Sequence, residues 1–221
     1  MIRIFLRPDP YLTAIHINEQ SNVRHPVLPA KEALKIIRAN PNALFAIAAI
    51  AIGHVAMVSV MSMTPIHMSH NDITLTIIGF VISVHILGMY AFSPFVGYLS
   101  DKLGRKRVIQ IGVTILLLSA LVSGTSANHD SWSLGFGLFL LGLGWSCTLI
   151  GGSALLSESM ESHLRPSSQG ASDLVMNLMG AGGGALAGVI IGTLGYAWLC
   201  LFAAIPVAIL GVWSLRIKQP S

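Results

Sequence analysis

His54, His85 and Asp173 are the residues of this 221-residue chain best placed to bind and release a proton inside a membrane. Each falls in a long apolar stretch, where a polar side chain is costly and so a candidate for function. An imidazole titrates near neutral pH, which suits a coupling proton. Asn177 follows Asp173 by four residues, so the two share one helical face. Each residue also has a plainer reading. A histidine can sit neutral, hydrogen-bonded to the next helix, and Asp173 can stabilise a helix N-terminus through the macrodipole. A second kind of chemistry, charge pairing, is offered by Asp101, Lys102, Arg105, Lys106 and Arg107, with Glu158, Glu161 and Arg165 further on. His67, His70 and Asp72 form a loose group that reads as a solvated loop more readily than as a metal site. No nucleophile, base and orienting group occur at a recognisable spacing, and there is no phosphate-binding loop. The residues describe no enzyme and require no cofactor or metal. Any transport must then draw on an ion gradient or run downhill.

The elements that hold these residues are membrane spans. The chain is 53% hydrophobic and 10% charged, where a soluble domain carries about 25% charged residues. Mean hydropathy is +0.73. No Asp, Glu, Lys or Arg lies between Asp72 and Asp101, between Arg107 and Asp130, or between Asp173 and Arg216. A helix of ~20 residues crosses a bilayer, so the first two runs hold one span each. The third holds two, divided at Gly192-Thr-Leu-Gly195. Six spans are expected at about 42–64, 73–98, 107–127, 133–156, 170–191 and 195–215, with Pro65 ending the first and Pro206 bending the sixth. Residues 1–41 precede this 42–216 bundle and a short tail, 217–221, follows it. Within 1–41, Ala33, Leu34 and Ile37 share one face of a short helix, with Lys31, Lys35 and Arg38 around it. Such a helix can lie on an anionic membrane surface or simply begin the next span.

Charge placement sets the orientation. Of the 13 basic residues, six precede the first span, four lie in the loop after the second, one in the loop after the fourth, and two in the tail. None falls in the three opposite loops. Lys and Arg stay on the cytoplasmic side, so both termini are expected there, in the plasma membrane. This placement also argues against nucleic acid as a partner, despite the net charge of +4. No cleavable signal peptide is expected at Met1, where the apolar run is short. Cys147 and Cys200 sit in apolar runs and read as small packing residues. Gly180, Gly184, Gly188 and Gly192 form a small-residue stripe expected to pack the fifth span closely, and Gly144, Thr148, Gly151 and Gly152 form another in the fourth.

The loop from Gly97 to Arg107 carries a pattern. Gly97, Leu99, Asp101, Lys102, Gly104, Arg105, Lys106 and Ile109 fit Gly-x-Leu-x-Asp-(Arg/Lys)-x-Gly-Arg-(Lys/Arg)-x-x-(Leu/Ile). This resembles the signature loop of the major facilitator superfamily of transporters. Arg165-Pro166-Ser-Ser-Gln-Gly170 resembles the Arg-Gly-x-x-x-Gly phrase before the fifth span of each superfamily half, with Pro166 in place of Gly. Leu6-Arg7-Pro8-Asp9-Pro10 is similar to a phrase that opens the family's central loop. The resemblance implies an all-α membrane fold, with this chain corresponding to the C-terminal six spans of twelve.

It further implies a gate at the cytoplasmic end. Gly97 and Gly104 would allow close approach and a tight turn. Asp101 would meet a helix N-terminus or an Arg, and Arg105 would reach Glu158 or Glu161 at the end of the fourth span. The implied activity is secondary transport of a small molecule across the lipid bilayer, completed by a second six-span half: a missing N-terminal half, a split partner or a second copy. Proton-coupled export of a small, mostly apolar compound suits spans that are methionine-rich and nearly uncharged. The rival is a non-transporting membrane protein, an inactive remnant or an assembly subunit.

Overall fold

A computed structural model describes residues 28–126 and 130–217. Arg3, Arg7, Arg24, the Leu-Arg-Pro-Asp-Pro phrase, loop residues 127–129 and Lys218 lie outside that range. Eight helices follow in order among the described residues: α1 Ala30–Ala39, α2 Pro41–His70, α3 Leu75–Tyr90, α4 Ser93–Leu103, α5 Arg105–Thr125, α6 Ser131–Ser159, α7 Arg165–Leu194 and α8 Tyr196–Arg216. α3 and α4 together make one apolar segment, so six segments are long and apolar enough to cross a membrane.

The breaks have local causes. Asn40 precedes Pro41 and is held extended (φ −106°, ψ 111°), which ends α1. Its Oδ1 then accepts from the backbone N–H groups of Asn42 and Ala43 at 3.0 and 3.3 Å, capping α2. Pro94 has no N–H to offer Tyr90, and the helix parts there into α3 and α4. Gly104 (φ +92°) and Gly195 (φ +89°) occupy backbone conformations that a side chain would strain, and each makes a sharp stop between two helices. Asp130 caps α6 through Ser133 N–H at 3.0 Å.

Pro65 does not end the first span. α2 runs on to His70 with Pro65 inside it. The hydroxyls of Ser62 and Thr64 bond the carbonyls of Val58 and Val60 at 2.6 and 2.7 Å in the turn before it. The missing proline N–H costs one bond, and buried neighbours on both sides hold the rest. The true turn is at Asp72, with φ +56°.

The helices stack in two layers. α3 packs on α6, α6 on α2, and α2 on α7, giving a front row of four; α5 and α8 pack behind it. α2 and α6 lie at the centre, with 61% and 67% of their apolar windows buried, against 11% for α7 and 28% for α3 with α4. The outer members of the row thus keep a bare face, including Phe80, Leu87, Leu178 and Leu186. Lipid offers no hydrophobic drive between spans, so close contact of small residues holds them. A Cβ on Gly112 of α5 would lie 2.8 Å from Cys147 Cβ, and one on Gly144 of α6 would lie 2.8 Å from Leu116 Cγ. Cys147 and Cys200 are buried and free.

α1 turns Ala33 and Ile37 inward, 2% and 1% exposed, against α2 and α7. Its apolar face therefore meets protein rather than a membrane surface, and Lys31, Lys35 and Arg38 face outward.

Candidate functional site

The α4–α5 turn places Arg105 as the first residue of α5, directly after Gly104. The start of α5 lies against α6, where a Cβ on Gly151 would sit 3.1 Å from Arg105 O. From there one guanidinium pairs with two carboxylates and donates one hydrogen bond. Nη2 is 3.0 Å from Asp101 Oδ1, Nε is 2.8 Å from Glu158 Oε1, and Nη1 donates to Ser100 O at 2.8 Å. Arg105 is the most enclosed member; Asp101 and Glu158 are substantially exposed. A planar fork of donors suits this bridging role, which a lysine could not fill. Lys106 donates to Ile217 O and Gln110 to Ser214 Oγ at 3.2 Å, tying the same turn to the end of α8.

The other members of the loop divide. Lys102 lies over the Tyr98 ring, 5.8 Å from its centroid. Leu99 packs with Val96, Val108 and Cys147. Gly97 meets no atom within 4 Å of an added Cβ, so it provides no close approach here, contrary to expectation. Of the two glutamates, Glu158 reaches Arg105, whereas Glu161 lies 3.4 Å from His163. α6 has ended at Ser159, and Glu161 falls past its last turn. Arg165 donates from Nε to Met160 O at 3.3 Å.

At mid-span the structure joins residues from four helices. Trp145 Nε1–H of α6 donates to His54 Nδ1 of α2 at 3.2 Å, with ring centroids 6.3 Å apart. Tyr90, at the end of α3, packs its ring T-shaped with Trp145 at 6.2 Å and 78°. On the other side of His54 lies Gly180 of α7, where a Cβ would fall 2.6 Å from His54 Cδ2 and 2.8 Å from Nε2. Trp145 and Tyr90 were not apparent as site residues in the sequence; the available signal was an N–H-bearing aromatic in mid-span, which needs a partner when buried.

His85 is different. It is fully buried, and Nδ1–H donates to Leu138 O of α6 at 2.8 Å. Its Nε2 has no hydrogen-bond partner among the described residues. The same helix pair is close-packed through Gly142, where a Cβ would lie 2.9 Å from Met89 N. This is the geometry of an interhelical packing histidine.

Asp173 and Asn177 are exposed, and the Asn177 amide donates to Asp173 O at 2.8 Å. Because α7 begins at Arg165, Asp173 lies in its third turn, beyond the reach of the N-terminal dipole. The expected glycine stripe is also only half used. Gly180 and Gly184 face α2, but Gly188 and Gly192 meet no atom within 4 Å of a Cβ. Four-residue steps rotate by roughly 40° each on a helix, so a stripe at that interval drifts off its contact face. Gly183 takes the next contact instead, against Val55 and Ser59. At the opposite end His67 stacks on Tyr196 (4.4 Å, 9°), and no group of three or more His, Cys, Asp and Glu among the described residues is placed to share a metal ion.

The fold and loop define a polytopic helical membrane protein with a charge-bridged turn between spans. Residues 48–221 match the family model of the Major Facilitator Superfamily, and the chain belongs to that family. It is 35% identical over 208 residues to the uncharacterized MFS-type transporter YddS of Bacillus subtilis (strain 168), covering 93% of this chain and 47% of that protein. It is 28% identical over 139 residues to the riboflavin transporter RfnT of Brucella anthropi, covering 62% and 34%. The inward-open xylose transporter XylE from E. coli shares the fold with a TM-score of 0.62 at 13% identity, covering 80% of this chain and 48% of that one. The chain spans about half the length of the curated relatives it matches.

Proposed function

We propose that this chain is the C-terminal six-span half of a secondary transporter, in the plasma membrane with its basic end in the cytoplasm. A second six-span half, whether the preceding part of a longer chain, a split partner or a second copy, completes the path. The observation that carries the reading is the Arg105 bridge, which joins the α4–α5 turn to the last turn of α6 through Asp101 and Glu158. An exposed network of this kind stabilises a fold by little, so a device that forms and breaks as the cytoplasmic end closes and opens is its better use. The cargo is a small, mostly apolar compound, since the front row offers rings and few charges at mid-span. It leaves in exchange for protons, with half-buried His54 and exposed Asp173 as the groups that carry them.

The test uses inside-out membrane vesicles from cells making the protein, with Nile red as an uncharged apolar probe. An imposed inside-acid pH gradient should drive Nile red into the lumen, and collapsing the gradient should release it. No gradient-dependent movement above vesicles lacking the protein would sink the reading. A second reading, a non-transporting remnant or assembly subunit, draws on the half-length match to the relatives. Sequencing the DNA before Met1 bears on it: an open frame with six more spans argues for a whole transporter.

A further inference from the structure

We propose that Tyr90, Trp145 and His54 form a shelf that binds an uncharged, planar heteroaromatic molecule bearing a hydrogen-bond acceptor. The inference rests on the transporter reading above only in taking the front row to face a path for cargo. Gly180, His54, Trp145 and Tyr90 run in one line across α7, α2, α6 and α3, the four helices of that row. The line begins at a position without a side chain and ends at a ring that is 61% exposed.

The donor is set by the geometry. His54 Nδ1 accepts from Trp145 Nε1, so a neutral imidazole carries its proton on Nε2. That edge packs against Gly180, whose missing Cβ lets the imidazole seat there, and its N–H keeps no hydrogen-bond partner among the described residues for a ligand acceptor to displace. Trp145 is only 7% exposed, so it is a positioning residue: it fixes the imidazole and backs Tyr90. Tyr90 offers an open π-face, and aromatic rings prefer edge-to-face or offset partners at such a surface. No Lys, Arg, Asp or Glu occurs between Arg38 and Asp72, Asp72 and Asp101, or Asp130 and Glu158. In α7, Asp173 lies seven residues from Gly180. A charged ligand would meet no counter-charge at the shelf, which selects an uncharged one.

Acridone, flat, uncharged and bearing one carbonyl, is the probe, read by its own fluorescence anisotropy with the whole chain in lipid nanodiscs. Saturable binding above empty nanodiscs is expected. Tyr90→Leu and Gly180→Val should each weaken it roughly three- to tenfold, and anthracene, which lacks the acceptor, should compete poorly. Tyr90 is exposed, so a loss in that variant reports the shelf rather than folding. No saturable binding, binding unchanged in both variants, or equal competition by anthracene would overturn the proposal. Acridone binding without gradient-driven Nile red movement would keep the shelf and sink the transporter reading; the reverse pair of results would do the opposite.

Discussion

Arg105 Nε lies 2.8 Å from Glu158 Oε1, which ties the first residue of α5 to the last turn of α6. The same guanidinium holds Asp101 at 3.0 Å and the Ser100 carbonyl at 2.8 Å. One side chain therefore links the end of α4, the start of α5 and the end of α6. Both carboxylates are substantially exposed, so water competes for each pair.

That exposure makes a stability prediction. Glu158→Gln should cost less than about 1 kcal/mol, the range of exposed ion pairs. Thermal unfolding in detergent should barely shift, and raised salt should narrow the difference further. Glu161→Gln, which removes only the contact near His163, should be neutral. A large loss of stability in Glu158→Gln would mean that the bridge is structural scaffolding instead.

Glycines in two places should respond in opposite ways. Gly112→Ala puts a Cβ 2.9 Å from the Gly144 carbonyl and 2.8 Å from Cys147 Cβ, so α5 and α6 must separate. Overpacking of this kind costs about 1–3 kcal/mol. Gly188→Ala enters open space and gains up to ~1 kcal/mol of helix propensity. Paired melts of the two variants check this, and equal behaviour would contradict the packing described.

Asn40 joins three elements. Its Oδ1 caps α2, and its Nδ2 donates to Ser159 O at 2.9 Å. Asn40→Ala should cost about 1 kcal/mol from the cap alone. It should also raise proteolysis at the α1–α2 junction, since α1 loses its anchor to the end of α6. Asn40→Asp keeps the cap and loses the donor, and it should fall between.

The two mid-span histidines should separate. His85→Leu removes one interhelical bond to Leu138 O, worth about 0.6–1.7 kcal/mol in a membrane. Its effect should be on stability, with gradient-driven flux retained. His54→Leu takes away the partner of Trp145 and a group beside the open row. It should abolish dependence of flux on the pH gradient, and it should also lower the melt, since the buried Trp145 N–H left unpaired costs about 1–3 kcal/mol. Loss of coupling in His85→Leu alone would reverse the assignment.

Much of this was legible in the residues. Charge-free runs mark the spans because lipid forbids charge, and Gly104 and Gly195 mark stops because of their backbone freedom. The loop pattern pointed to Arg105, and the end of the fourth span pointed to Glu158 together with Glu161. What sequence could not decide was rotation and register. The end of α6 at Ser159, one residue after Glu158 and two before Glu161, separates the two. The drift of a four-residue stripe removes Gly188 and Gly192 from contact. Pro65 reads as a helix end, but packing on α2 overrides a single lost bond. The line from Tyr90 through Trp145 to His54 joins residues 55 and 91 positions apart, which no local pattern reveals.

The most direct measurement places Asp101→Asn and Glu158→Gln at the gene's own chromosomal locus and follows Nile red efflux from intact cells. Efflux is expected to fall severalfold in both variants, towards the level of a deletion strain, with an unchanged amount of protein in the membrane. Wild-type efflux in both variants, or a drop that merely tracks a loss of protein, would contradict this.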